Sequence, residues 1–444
     1  MEIKLYNSLT GNIEVFKPIK EGEVSLYVCG PTVYNYPHIG NMRPVVTFDT
    51  LRRFFEYIGY KVTYVSNFTD VDDKIIKASL EAHKSEKELT DFYIHAFLDT
   101  IHALGSHDPN ITPRVTEYIP AIIKYIEELV KLDAAYEVDG DVYFRVSKIK
   151  DYGSLSNINI DDLIVGARVE ENDKKESPLD FVLWKRTSEG INWDSPFGRG
   201  RPGWHTECCV MIDTIFHSKI DIHGGGYDLK FPHHENEIAQ CTAMHNHKIA
   251  NIWMHNAFIN INNEKMSKSL GNVIYAKDLI KEYGGNVVRL VILNTHYRLP
   301  VNFTEETILE AVKEVNKITS AVKQLTLILQ TNNVSLDAGS PKYMEGFLAA
   351  LADDLNTANA ISELYSLIKL INQAIRTREP DLALLSDYFK SIKDMLDVLG
   401  LEIPYKVLDA EDKKLYQEYL DAKANKDFAR SDELRETLIS RGIL

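Results

Sequence analysis

The chain has 444 residues, of which 44% are hydrophobic and 26% charged, with a net charge of −15. That balance is ordinary for a globular protein of about two to four domains. It excludes a membrane bundle, because no apolar run nears the ~20 residues of a span. It also excludes a disulfide scaffold, because only four cysteines are present, and adhesion to nucleic acid by bulk positive charge. A local basic groove stays open. The N-terminus has no basic region followed by an apolar core, so a cytoplasmic protein is expected.

The densest stretch is Leu26 to Arg43, LYVCGPTVYNYPHIGNMR. Val24 to Val28 predicts a strand ending on Cys29-Gly30, followed by a turn-rich stretch. After Pro44, Val45, Phe48, Leu51, Phe55 and Ile58 fall on roughly one helical face. Lys61 to Val65 predicts a second strand. Strand, helix, strand makes a βαβ unit, and the loop into its helix is a natural anion site. Cys29 and His38 fall there. His38-Ile39-Gly40-Asn41 resembles the His-Ile-Gly-His motif of class I aminoacyl-tRNA synthetases.

Asn67 to Lys74, NFTDVDDK, closes the second strand where a nucleotide-domain loop should approach its ligand. Helix capping would account for Asp70 or Asp72, though less easily for all three acids. Ile75 to about Leu104 predicts one amphipathic helix. An insertion follows, with a helix from Ile119 to Leu132, a strand from Asp141 to Val146, a solvated charge run from Glu170 to Glu176, and a strand from Phe181 to Lys185.

Gly200 to Gln240 is the second dense region, with GRGRPGWHTECCVM and DIHGGGYDLKFPHHENEIAQ. Gly224, Gly225 and Gly226 are expected to reach backbone angles closed to other residues and to admit a planar ligand. His233 and Glu237 are four apart on one helical face. That spacing suits two ligands of one metal, and equally an ordinary His–Glu hydrogen bond. Trp253 to Ile261 predicts a strand, and Lys265-Met266-Ser267-Lys268-Ser269 follows. Beyond Asn302 come amphipathic helices at Ile308–Leu325, Phe347–Ile375 and Leu382–Leu399, read as a bundle core. Lys413 to Arg441 is charged and helix-rich.

Taken together, LYVCGPTVY, HIGN, NFTDVDDKII, DFVLWK, GRPGWHTEC, DIHGGGYDL, FPHHENEIAQ, EKMSKSLGN, HYR and DDLNTANAI resemble the cysteinyl-tRNA synthetase family along nearly the whole chain. The resemblance implies an α/β fold in which a Rossmann-like parallel-sheet catalytic domain carries an insertion. A helical bundle and a small anticodon-binding module follow. The expected bounds are 1–113 and 200–261 for the catalytic halves and 114–199 for the insertion. They are 262–310 for the KMSKS loop and stem-contact region, 311–403 for the bundle and 404–444 for the anticodon module.

The resemblance also implies one zinc per chain on Cys29, Cys208, His233 and Glu237; spacing alone leaves Cys208 and Cys209 equivalent. It assigns catalysis to His38, Asn41, Lys265 and Lys268, and ATP contact to His38, Gly40, Asn41, Gly225, Asp228 and Lys268, with Mg2+. Cys29, Gly30, Thr32, Trp204 and His223 would bind L-cysteine. Phe428, Asp432 and Arg435 would face tRNA(Cys). A monomer with no membrane contact is expected. Asn41 departs from the family motif, since it can donate a hydrogen bond but cannot be cationic. Two other readings share these motifs: the cysteine ligase of mycothiol synthesis, which acylates an amino sugar, and a non-catalytic RNA-binding paralogue. The long region after Pro404 disfavours the first, and the intact Lys-Met-Ser-Lys-Ser the second.

Overall fold

Four parallel strands form the centre, in the order Ala250–Asn256, Ile220–Gly226, Glu23–Val28 and Lys61–Ser66. They belong to a computed structural model that describes residues 1–158, 174–266 and 270–444. Lys268 and the first part of the Glu170–Glu176 run lie outside the described residues. Side chains alternate across the sheet. Val24, Leu26 and Val28 join Ile222, Ile252, Met254 and the Ile39–Tyr57 helix in one core. Tyr27, Val65, Ile220 and Trp253 face a second core, shared with Cys209, Met211 and Ile238. Both faces are covered, as a parallel sheet requires.

The helix of the βαβ unit starts earlier than its apolar pattern suggests. It runs from Ile39 to Tyr57 with Pro44 inside. Pro44 has no N–H, so the Gly40 carbonyl loses its intrahelical donor. The predicted Ile75–Leu104 helix is two helices, Asp73–Ala82 and Glu86–Ala103. His83 takes a left-handed conformation at the break, and Ser85 with Glu88 forms a capping box for the second helix. Each acid of the stretch before them has a structural partner. Asp72 accepts from the Lys74 N–H at 2.8 Å. Asp70 holds Thr116 through its N–H at 3.0 Å and its hydroxyl at 2.6 Å. Asp73 pairs with Arg201 and Lys185.

The insertion carries an antiparallel sheet in the order Ala135–Val138, Asp141–Phe144, Phe181–Arg186 and Gly200–Pro202. Its last strand lies past the boundary expected at 199. The predicted Trp253–Ile261 strand is also two pieces. Ala250–Asn256 closes the parallel sheet, whereas Ile259–Ile261 pairs with Glu264–Lys265 and Val301–Phe303.

The bundle helices Glu305–Thr331, Glu345–Ala352, Thr357–Ala374 and Leu382–Leu399 share the first core with the sheet. The predicted Phe347–Ile375 helix breaks at Asp354 and Leu355, which have φ of 56° and 49°. Asp354 accepts from the Tyr6 N–H at 2.8 Å, the Tyr297 hydroxyl at 2.6 Å and Arg298 Nε at 2.7 Å. Those bonds offset the roughly 1–2 kcal/mol cost of a left-handed residue. They also explain HYR and DDLNTANAI as two halves of one interdomain contact. A buried ion pair makes a further tie. Arg289 Nη2 lies 2.6 Å from Asp49 on the Ile39–Tyr57 helix, while its Nε donates to the Leu399 carbonyl of the bundle at 2.6 Å. Two final helices, Ala410–Ala424 and Phe428–Ser440, seat Leu408, Leu438 and Ile443 on Leu327. Among the described residues no helix is long and apolar enough to cross a membrane.

Candidate active site and metal centre

Strand Glu23–Val28 ends in the middle of the sheet and delivers Cys29 to its C-terminal edge. Helix Glu207–Phe216 brings Cys208 alongside, and the turn into helix Glu235–His245 adds His233 and Glu237. The Sγ atoms of Cys29 and Cys208 are 3.6 Å apart. Cys29 Sγ is 3.6 Å from Glu237 Oε1, and Cys208 Sγ is 3.7 Å from His233 Nε2. His233 Nε2 is 3.0 Å from Glu237 Oε1. A tetrahedral zinc shell, with bonds of ~2.0–2.3 Å, separates its donors by ~3.3–3.8 Å. Three of these four separations fall in that range, and the 3.0 Å His233–Glu237 pair needs to open by only about 0.3 Å for two thiols, an imidazole and a carboxylate to share the ion.

A second group, Cys29, His223, His234 and Glu237, also converges. There His223 Nε2 lies 2.7 Å from Glu237 Oε2 and His234 Nδ1 lies 2.8 Å from His255 Nε2. The 2.7 Å between His223 and Glu237 is a hydrogen-bond distance, shorter than any donor separation given for the first group, whereas His234 keeps its Nε2 3.3 Å from Cys29 Sγ. His223 and His255 therefore orient Glu237 and His234 from behind. In the same way His205 Nδ1 meets His233 Nδ1 at 3.1 Å and leaves Nε2 for the metal. Cys209 is excluded by direction, because its Sγ faces the carbonyls of His205 and Glu237, both at 3.7 Å.

Charge is already sorted in this cluster. The Cys29 hydrogen bond pulls the Cys208 thiol down to about 6 against its burial. Burial pushes Cys29 well up. Burial pulls the His233 imidazole down, but the Cys208 and Glu237 hydrogen bonds win and lift it to about 10. Burial opposes ionisation of Glu237, yet His223 and then His233 hold its carboxyl well below the usual range. A metal binding here takes a thiolate and a carboxylate as they stand and displaces protons from Cys29 and His233.

The other expected residues surround this cluster. Gly30 is obligatory, because a Cβ there would strike the Asn67 carbonyl oxygen, and its N–H donates to Asn67 Oδ1 at 3.0 Å. Thr32 pairs with Thr69, whose hydroxyl donates to Glu207 at 2.8 Å. Trp204 is 42% exposed and stacks on His233, with centroids 4.4 Å apart. His223 is fully buried and stacked on Trp253 at 4.4 Å, so it stands behind Glu237 and does not line open space. His205, His234, His255, Trp253 and Asn67 were not singled out from the sequence; the second His of HHENE was the one available signal.

His38 caps the Ile39–Tyr57 helix, and its N–H donates to Asn41 Oδ1 at 3.0 Å. Asn41 thus spends its oxygen on the cap. A Cβ on Gly40 would lie 2.8 Å from Met266 Cε, so the HIGN turn and the KMSKS segment touch. Lys265 Nζ sits 3.7 Å above the Phe258 ring. The glycine run differs from expectation. Gly224 to Gly226 lie in strand Ile220–Gly226 and none has a positive φ. They are small because neighbours press on them: Phe48 on Gly224, His234 on Gly225 and the Asp228 carboxylate on Gly226. Asp228 itself is exposed. Phe428, Asp432 and Arg435 are exposed on one face of helix Phe428–Ser440, far along the chain from the cluster.

Fold and site together define a class I aminoacyl-tRNA synthetase. Residues 15–313 match the family described as tRNA synthetases class I (C) catalytic domain, and residues 346–403 match the DALR domain. The chain belongs to the cysteine–tRNA ligase family. It is 46% identical over 452 aligned positions to the cysteine–tRNA ligases of Bacillus cereus (strain AH820) and Bacillus anthracis (strain CDC 684 / NRRL 3495). Each match covers 100% of this chain and 97% of the relative. Among solved structures, a Mycobacterium tuberculosis methionyl-tRNA synthetase bound by methionyl-adenylate has the same fold. It has a TM-score of 0.61 at 14% identity, over 92% of this chain and 96% of that one. A leucyl-tRNA synthetase from Agrobacterium radiobacter gives 0.61 at 10% identity, over 88% and 85%.

Proposed function

We propose that this chain ligates cysteine to tRNA(Cys) in two steps at the site just described. The cysteine carboxylate attacks the α-phosphate of ATP, giving cysteinyl-adenylate and pyrophosphate. The hydroxyl of the terminal adenosine of tRNA then takes the cysteinyl group. The observation that carries the reading is the convergence of Cys29, Cys208, His233 and Glu237, largely buried at the end of the strand that leads on to the HIGN turn, in a chain of this family.

One zinc held there would bind the substrate thiolate far better than a serine hydroxyl, supplying the discrimination that an apolar pocket limits to ~1–3 kcal/mol. Cys29, Gly30, Thr32 and Trp204 form the pocket wall, with His223 fixing Glu237. His38 and Lys265, with Lys268, stabilise phosphate charge as pyrophosphate departs. Gly40, Gly225 and Asp228 seat the nucleotide, which brings Mg2+ with it. Asn41 acts chiefly by holding the His38 backbone. No covalent enzyme intermediate is needed, and catalysis is positioning plus charge stabilisation. The protein works as a cytoplasmic monomer.

The test is ATP–pyrophosphate exchange followed by tRNA charging. Exchange should be driven by cysteine and not by serine, and should fall with metal content on chelation. Equal exchange with serine, or full exchange in metal-free protein, would overturn the reading.

Phe428, Asp432 and Arg435 are offered to the anticodon: an aromatic face for stacking, a carboxylate acceptor and a cation on one exposed helix face. Phe428→Ala and Arg435→Ala should each raise the KM for tRNA by about tenfold. Cysteine-dependent exchange should stay unchanged. Unaltered charging of wild-type and anticodon-mutant tRNA by both variants would remove these residues from recognition.

A further inference from the structure

Beside the HIGN turn, three separate elements build a cluster of rings under lysines. Tyr36 lies two residues before His38. Its ring meets Tyr93 at 5.4 Å, Phe92 at 5.9 Å and Tyr275 at 6.3 Å between centroids, each edge-on. Phe92 and Tyr93 come from helix Glu86–Ala103, and Tyr275 caps helix Ala276–Tyr283. Lys277 Nζ stands 3.3 Å from the Tyr36 centroid, and Lys84 Nζ stands 5.5 Å from that of Phe92. Phe92 also meets Tyr93 at 5.1 Å between centroids, yet stays 47% exposed.

The cluster is tied to the active-site backbone. The Ile39 N–H donates to the Ile274 carbonyl at 2.9 Å, and the Ala276 N–H donates to the Pro37 carbonyl at 3.0 Å. Asn35 Nδ2 reaches the Tyr275 hydroxyl at 3.2 Å. The rings therefore border the turn that presents His38.

Charge sets this patch apart. The chain as a whole carries −15. Among the described residues neither Lys84 nor Lys277 has a carboxylate within 4.0 Å. Acids on the adjoining helix have nearer partners: Asp91 with Lys87 and Arg114, Glu88 with Ser85 and more weakly with Lys84, and Glu86 with the Ile191 N–H. Lysines with no carboxylate in contact, above accessible rings, combine the two interactions that hold single-stranded nucleic acid, phosphate attraction and base stacking.

We propose that this patch guides the unpaired 3′ end of the tRNA acceptor strand towards the site. Phe92 offers an accessible edge and face to a base, while Lys84 and Lys277 take the phosphates on either side. The proposal rests on the tRNA-ligase reading, because only a reaction with tRNA brings a single-stranded end to this turn.

The experiment uses the full-length chain with Lys277→Glu, Lys84→Glu and Phe92→Ala, none of which touches the zinc ligands or the residues assigned to ATP. Each variant should lower kcat/KM for tRNA about tenfold, the two lysine variants should also flatten its salt dependence while Phe92→Ala leaves the slope unchanged, and cysteine-dependent pyrophosphate exchange should stay within about twofold of wild type. Binding to tRNA lacking its unpaired 3′ nucleotides should be weaker for the wild type and nearly equal for wild type and variants. Three outcomes overturn the proposal. The variants could charge tRNA as the wild type does, with or without a lower melting temperature, which leaves the rings a packing role only. The defect could persist in full on the shortened tRNA, which places the contact elsewhere on the molecule. The KM for ATP in exchange could rise instead, which makes the patch a nucleotide contact. Failure of the ligase reading is separate: the wild type itself would then neither exchange nor charge.

Discussion

Cys208→Ala should purify with almost no zinc, and its cysteine-dependent pyrophosphate exchange should fall by about a thousandfold or more. Cys209→Ala should keep one metal per chain and most of its activity. The two thiols are adjacent in sequence and equally buried, so their different fates rest on direction alone. Cys208 Sγ meets Cys29 Sγ and His233 Nε2, whereas Cys209 Sγ faces two carbonyls. Removing Cys208 would leave three of the four candidate ligands and take away the thiol that Cys29 draws down to about 6; losing one of four strong ligands lowers zinc affinity severely. Removing Cys209 deletes one sulfur from a core, at ~1 kcal/mol. The same logic separates the adjacent histidines. His233→Asn should release metal, whereas His234→Asn, whose Nδ1 is bound to His255, should retain it with slower turnover. Metal content by atomic emission, with exchange rates on the same samples, decides the matter. A Cys208→Ala protein with full zinc, or a His234→Asn protein with none, would replace this ligand set by the competing one.

How far the sequence led depends on which physics set each feature. Cys29, Cys208, His233 and Glu237 were reached through the family resemblance, since spacing alone left Cys208 and Cys209 equivalent and suited His233–Glu237 equally to a plain hydrogen bond; the fold brings the four together. Their supports were not legible. His205, His223 and His255 act through contacts between residues 14 to 28 positions apart, which no local pattern carries. Helix positions were legible from apolar spacing, but breaks within long helices were not. Asp354 and Leu355 sit in a run that reads as continuous helix. The turn there is held by Tyr6, Tyr297 and Arg298 from other parts of the chain. His83 gave no turn signal of the glycine or proline kind, although Ser85 with Glu88 was a readable start for the next helix. Gly224 to Gly226 misled for a different reason. Glycine is required there for close approach, not for φ, and the two needs look alike in a sequence. Asp70, Asp72 and Asp73 suggested a ligand loop because three acids exceeded what one cap needs. Each has its own structural partner, two of them distant in sequence.

Arg43→Met should slow adenylate formation by tenfold to a hundredfold and destabilise the fold, with little change in the KM for cysteine. Arg43 is on the helix that His38 caps, and its side chain is 1% exposed. Nη1 donates to the Ala257 carbonyl at 2.9 Å and the Phe258 carbonyl at 2.7 Å. Nη2 donates to the His296 carbonyl at 3.2 Å and to the Leu299 carbonyl. Burial draws its pKa down to about 10, so it remains charged at neutral pH while satisfying four carbonyls. Ala257 and Phe258 are the link between the parallel sheet and the hairpin that bears Lys265. Phe258 lies beneath Lys265 Nζ, and Met266 lies against Gly40. Arg43 therefore sets the distance between the HIGN helix and the segment leading into KMSKS, although it need not touch ATP. Methionine has similar length but no donors, so four buried carbonyls lose their partner at a cost of ~3–5 kcal/mol. The misplacement this allows, on the order of 1 Å, is enough for a loss of about a hundredfold in turnover. Arg43→Lys should recover part of both effects, since an ammonium offers three donors but not the planar fork. Urea midpoints read the stability. Exchange kinetics, measured where each variant is fully folded, read the positioning. A methionine variant that unfolds early yet turns over at the wild-type rate while folded would make Arg43 a structural tie with no hold on the chemistry.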